Sequence, residues 1–383
     1  MTDKTAYVAP RIFDGYEWYD NAALLVDDGK VEAICLPGDI PGGFQRVSVE
    51  NGFLAPGFVD LQVNGGGGVM LNDERSVEGI RTICNAHRRF GTTALLPTLI
   101  TDTPEITAQA VAAGIEAAQQ KVPGFLGLHL EGPHLSLARK GAHDPDLIRK
   151  MEEADLAAIV QAVNGLPVLL TTVAVESVTP GQIAALTSAG VKVSIGHTEA
   201  AFSQVLACKE AGAITATHLF NAMSQIANRE PGLVGSVLAI GAMSAGLIAD
   251  GFHVHPESIG IALRAKRGPG HIFLVTDAMA TLGTDLPGFT LNGRWIKREG
   301  GRLTLEDGTL AGADLDMISA VRFMHETIGI DLDEALRMAS LYPAIVAGVA
   351  ESHGHLRPGA RADFVHVGSD LDIGGVWIGG DKA

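Results

Sequence analysis

From about Leu54 onward the chain alternates between short apolar runs and longer segments whose apolar residues recur every three or four positions. That rhythm is the mark of repeated strand–helix units on a parallel sheet. Eight runs stand out: GFVDLQVN (57–64), TTALLPT (92–98), FLGLHLEG (125–132), VLLTTVAV (168–175), KVSIGH (192–197), ITATHL (214–219), AGLIAD (245–250) and HIFLVTDA (271–278). Helical patterns lie between them, among them 151–163, 180–189 and 199–211. Eight strands, each followed by a helix, close naturally into an α/β barrel of the (β/α)8 TIM type, expected here over residues 54–354.

The two ends lack this beat. Residues 1–53 and 355–383 read as short alternating strands broken by Asp-Gly, Pro-Gly and Gly-Gly turns. Each flank is too small to bury a core alone, so the two are expected to combine into one small β-sandwich domain. Residues 279–312 form an irregular insert after the eighth run and predict a β-hairpin. The longest mostly apolar stretch, 233–250, is interrupted by glycines and serines, so it reads as a helix, a turn and a buried strand rather than a membrane span.

Composition narrows the function classes. With 383 residues, 46% hydrophobic and 47 glycines, the chain is long enough for a large core with many tight turns. A formal net charge of -16 argues against nonspecific nucleic-acid or membrane-surface binding, because that field repels phosphate backbones and acidic lipids. An anionic substrate would need a local cationic patch. The three cysteines, Cys35, Cys84 and Cys208, are odd in number and far apart, which suggests neither a disulfide framework nor a Cys-x-x-Cys zinc site. The start of the chain has no apolar run behind a basic segment, and a reducing cytoplasm is the expected setting.

In a barrel, chemistry sits at the carboxyl ends of the strands. The ends of the runs supply Gln62, Glu131, His197, His218, Asp250 and Asp277. Singly, each has a plain structural alternative: a histidine hydrogen-bonded in place, Asp277 capping the following helix, Glu131 as a solvated turn residue. Jointly, one glutamate and two histidines form a ligand set that binds a divalent transition metal and leaves positions open for water. His143 lies on the loop after the third run and can reach the same site. Arg229 and His253 are loop cations on the same face that can answer an anionic group or simply be solvated. His129, His134 and His255 read as structural or peripheral. The glycine run at 64–68 lacks the ending of a phosphate loop and instead allows close backbone approach.

Long ordered motifs, PGFVDLQVNGGGG, GLHLEGPHLS with KGAHDP, SIGHTEA, ATHLFNAMSQIANREPGLVG, IADGFHVHP, LVTDAMA and MASLYPAIVAGV, resemble the N-acetylglucosamine-6-phosphate deacetylase family of the amidohydrolase superfamily. The resemblance runs from about residue 10 to 370. It implies a metal-bearing barrel with a small β-sandwich from both chain ends, acting as a homodimer in cytoplasmic amino-sugar breakdown on a phosphorylated amino-sugar substrate. It further implies Glu131, His197 and His218 as ligands of one divalent ion per subunit, zinc foremost, with iron, cobalt or manganese as the alternatives. Asp277 would be the catalytic acid/base and His143 a contact to the substrate carbonyl. Gln62, Asn221, Ala222, Arg229, His253 and the segment Leu310, Ala311 and Gly312 would hold the substrate, partly across the dimer interface. Many amidohydrolases carry His-x-His at the end of the first strand, where this chain has Asp60-Leu61-Gln62. Glutamine is a poor transition-metal ligand, so a single-metal site is favoured. Two other functions stay in view: an amidohydrolase acting on a cyclic amide or another N-acyl amino sugar, and a barrel serving only as a scaffold.

Overall fold

The computed structural model describes residues 4–383. Eight parallel strands run in chain order around one sheet: β1 (Phe58–Val63), β2 (Thr92–Ile100), β3 (Leu128–Glu131), β4 (Leu169–Val173), β5 (Lys192–Ile195), β6 (Thr215–Ala216), β7 (Ser244–Leu247) and β8 (Ile272–Leu274). Each falls inside or overlaps one of the eight apolar runs. The ring is drawn shut where the backbone N–H of Asp277 donates to the Gln62 carbonyl at 3.0 Å and Val63 bridges Ala278 in parallel. The (β/α)8 barrel is therefore present.

Helices follow the strands at Val77–Arg88, Pro104–Gln119, Glu153–Ala162, Pro180–Ser188, Phe202–Glu210, Gly232–Ala239 and Pro256–Ala265. Local sequence sets their starts. Ser76, Thr103 and Thr179 accept from backbone N–H groups of the first turn, and Pro104, Pro180 and Pro256 occupy first positions that need no N–H donor. Their apolar faces pack on the outside of the sheet, and Leu95, Val193, Ile195, Ala245 and Leu274 are fully buried in the resulting core.

The chain ends meet in one hydrogen-bonded sheet. Strands from Thr5–Phe13 to Phe53–Pro56 pair with Phe364–Val367, Ile373–Ile378 and Asp381–Lys382, in eight strands altogether. Tyr7, Leu24, Leu54, Phe364 and Trp377 form its apolar centre, with the Phe364 and Trp377 rings stacked at 4.6 Å. Phe53–Pro56 belongs to this sheet, and the first barrel strand, Phe58–Val63, lies within the first apolar run.

The insert is larger than the expected hairpin. Gly288–Leu291, Arg294–Glu299, Arg302–Thr304 and Leu310–Ala313 form a four-stranded antiparallel sheet. Two further strand pairings follow the hairpin: Gly300-Gly301 turns the chain so that Glu299 pairs with Arg302, and Asp307-Gly308 returns it so that Thr304 pairs with Leu310. Phe289, Leu291, Ile296 and Leu303 bury against Met70, Ile100 and Met279, which seats this sheet over the carboxyl end of the barrel.

Candidate metal centre

Glu131 ends β3, and His197 and His218 follow β5 and β6 by two residues. Glu131 Oε1 lies 3.2 Å from His197 Nε2 and 3.1 Å from His218 Nε2, and the two Nε2 atoms are 3.1 Å apart. All three side chains are buried. A tetrahedral shell with bonds of about 2.0 Å requires donor atoms roughly 3.3 Å apart. The three separations match that shell, so the residues fit a divalent ion. His197 Nδ1 donates to the Arg139 carbonyl at 2.8 Å, which leaves Nε2 bare for the cluster. His218 Nδ1 is buried without a hydrogen-bond partner among the described residues. His143 joins the group: with Glu131 and His197 it offers donor atoms all within 4.8 Å, its Nε2 standing 3.9 Å from Glu131 Oε2.

The backbone is bent to bring these groups inward. His197, His218, Phe220, Ala222 and Asp277 all have φ between +26° and +77°, a region that costs a side-chain-bearing residue energy. The neighbouring contacts hold them there. Asp277 Oδ1, for example, accepts from Asn64 Nδ2 at 2.7 Å and from Gln62 Nε2 at 3.1 Å.

The electrostatics are those of carboxylates in a dry space. Burial, and then the Glu131 charge, push Asp277 up to about 6. Burial opposes ionisation of Glu131 too, but the His197 and His218 rings hold it well below the usual carboxylate range. Burial lowers the proton affinity of His218, and the Glu131 contact more than restores it. A divalent ion competes for that same imidazole lone pair. Burial pushes His143 down to about 3, so its ring is neutral. Its Nδ1 accepts from the Thr101 backbone N–H at 3.3 Å, which puts the proton on Nε2, facing the cluster.

A cavity of about 240 Å³ opens over these residues. Glu131, His143, His197, His218, Asn221, Ala222, His253, Asp277, Leu310 and Gly312 line it. Among the described residues no lysine or arginine does. His253 is held by Asp250, whose Oδ2 accepts from Nδ1 at 2.6 Å and whose Oδ1 accepts from the Phe252 and His253 backbone N–H groups. Burial opposes ionisation of Asp250, but these bonds hold its carboxyl below the ordinary value.

Three residues expected to contact substrate, Gln62, Ala311 and Arg229, are not among those lining this cavity. Gln62 donates its amide to Glu131 Oε1 at 3.1 Å and to Asp277 Oδ1 at 3.1 Å, so it ties two carboxylates together instead of facing the cavity. Ala311 turns its side chain into the core under the inserted sheet. Arg229 is exposed and does not line the cavity of its own chain.

Some residues escaped the sequence reading. Asn64 directly follows β1 and continues its alternation, and the pattern Asp60-x-Gln62-x-Asn64 is the signal that identifies it. Asp60 accepts from Thr276 Oγ1 at 2.5 Å and from the Gln62 N–H at 3.2 Å, pinning β1 to the segment that follows β8; burial pushes its carboxyl up to about 7. Thr101, which orients His143 through a 2.8 Å contact, carries no sequence signal. His129 is structural, as expected: it sits between Thr98 and Thr172 hydroxyls inside the barrel.

The Amidohydrolase family model matches residues 53–382. The chain is 44% identical over 364 residues to an N-acetylgalactosamine-6-phosphate deacetylase of Shewanella sp. (strain ANA-3), covering 94% of this chain and 91% of that protein. It is 33% identical over 380 residues to an N-acetylglucosamine-6-phosphate deacetylase of Haemophilus influenzae, covering 98% of both. Its fold superposes with a TM-score of 0.94, at 34% identity and 99% coverage of both chains, on the crystal structure of N-acetylglucosamine-6-phosphate deacetylase from Pasteurella multocida. Donor cluster, barrel and sequence agree, and this chain belongs to the amidohydrolase family.

Proposed function

We propose that this chain is a metal-dependent deacetylase that hydrolyses the acetamide of N-acetylglucosamine 6-phosphate to the free amine and acetate. The observation that carries the reading is the meeting of Glu131, His197 and His218 donor atoms beside a buried aspartate in one sugar-sized cavity. A divalent ion held by those three residues, zinc foremost, supplies Lewis acidity and lowers the pKa of water toward about 7.

The remaining work falls to side chains. Asp277 accepts a proton from the attacking water as its oxygen bonds to the acetamide carbon. Gln62 and Asn64 aim the Asp277 carboxylate by donating to Oδ1. The neutral His143 presents Nε2–H to the oxygen on which negative charge develops. Asp277 then returns its proton to the nitrogen, the C–N bond breaks, and acetate and the amine leave. Asn221 and His253 take the phosphate end. Arg229, too exposed to serve its own cavity, completes the phosphate site across a homodimer interface. The enzyme acts in the cytoplasm in amino-sugar breakdown; among the described residues no helix is long and apolar enough to cross a membrane.

A second reading concerns one stereocentre. The relative with 44% identity is named for the galactosamine epimer. Acetate release from the two N-acetylhexosamine 6-phosphates, measured side by side on metal-loaded protein, decides between them. No acetate from either would refute deacetylation.

A further inference from the structure

A second cavity, of about 560 Å³, lies outside the barrel between helices Pro104–Gln119 and Glu153–Ala162. Helices 77–88 and 104–119 pack together, as do 153–162 and 180–188, but across this gap the packing lapses. The facing positions are too small to close it: Ala108, Ala112 and Ala158, with Gly165 at one end. Val111, Ile115 and Ile159 make the walls apolar.

The inner end is formed by Gly132, Pro133 and His134, which follow directly on Glu131. His134 is only 1% exposed, and the catalytic reading gives it no task. Its Nδ1 lies 3.2 Å from the Arg149 carbonyl oxygen, which can only accept, so the ring proton is on Nδ1. Burial lowers the proton affinity of His134, and the neutral ring then offers a bare acceptor at Nε2. No donor among the described residues is bonded to Nε2. Arg149 and Asp155, also in the wall, are paired with each other through both guanidinium nitrogens. The cavity is therefore apolar, without net charge, and Nε2 of His134 is a ring acceptor in its wall that no protein donor among the described residues occupies.

We propose that this cavity binds a small neutral hydroxyl compound, an alcohol or phenol with an apolar body, whose O–H donates to His134 Nε2. The volume lies within the range of about 300–1,000 Å³ typical of small-molecule sites. Carboxylates and amines are disfavoured, because Arg149 and Asp155, the charged groups of the wall among the described residues, already neutralise each other. An ether of the same shape covers Nε2 without donating to it, which weakens its binding.

The test uses the full chain, titrated with phenol and with anisole and followed by calorimetry and by methyl NMR shifts of Ile115 and Ile159. Phenol should bind at one site per chain, about ten-fold tighter than anisole. His134→Phe should abolish that preference. Ala158→Phe, at an exposed helix position, should fill the cavity and abolish binding of both while leaving deacetylation unchanged. Equal affinity for the two compounds in the unaltered protein overturns the proposal. So does phenol binding that survives Ala158→Phe, the absence of phenol binding up to its solubility limit, or a solution dimer that buries the cavity.

Discussion

Replacing Gln62 with methionine keeps an unbranched side chain of similar volume and removes only the amide. Two hydrogen bonds disappear, one to Glu131 Oε1 and one to Asp277 Oδ1, both at 3.1 Å in a buried site. A hydrogen bond to a charged group contributes roughly 1.5–3 kcal/mol. A bound ion compensates Glu131, so the lasting loss is at Asp277, which keeps only its Asn64 bond at 2.7 Å. If that bond aims the carboxylate in the transition state, turnover falls by the same free energy, roughly ten- to hundred-fold. Steady-state kinetics on metal-loaded protein separate the two roles assigned to this residue. A positioning role lowers kcat and leaves KM nearly unchanged, with metal stoichiometry intact. A rise in KM at constant kcat would mean that Gln62 touches substrate after all and would refute the reasoning.

His218→Ala removes one donor of three, and metal content measured by elemental analysis should fall well below one ion per chain, together with activity. Chelation of the unaltered protein should lower its Tm, since an ion at 100 times its Kd stabilises the fold by about 2.7 kcal/mol. Asp277→Asn should keep the metal while losing roughly 10²–10⁴-fold in kcat; loss of metal with much of the activity retained would contradict the assignment. Arg229→Ala should raise KM for the phosphorylated sugar far more than for the unphosphorylated one, and equal effects would remove its phosphate role. Asp250 has a depressed pKa in the fold, so its stabilisation is present above its unfolded value of about 3.9 and is lost as pH falls through the folded value. The stability gap between the unaltered protein and Asp250→Asn should accordingly narrow below about pH 4 in chemical denaturation.

Much of this molecule was legible along the chain. Eight apolar runs gave eight barrel strands because a strand buried on both faces must be apolar throughout, whatever it packs against. Glu131, His197, His218 and Asp277 were conspicuous for the same reason: each interrupts or closes such a run, and a barrel exposes chemistry only at those ends. What the sequence left open were relations between distant residues. That Gln62 serves Asp277, 215 positions away, depends on where β1 meets β8, and the closing contacts there are made by backbone groups common to every residue. That Arg229 stands outside its own cavity, and that His134 turns away from the site that Glu131 faces, are matters of loop path and side-chain direction. Pattern fixes which face of an element is buried, because burial is a property of single residues. Only the closed ring decides which polar atoms meet, because a hydrogen bond demands two groups within about 3 Å.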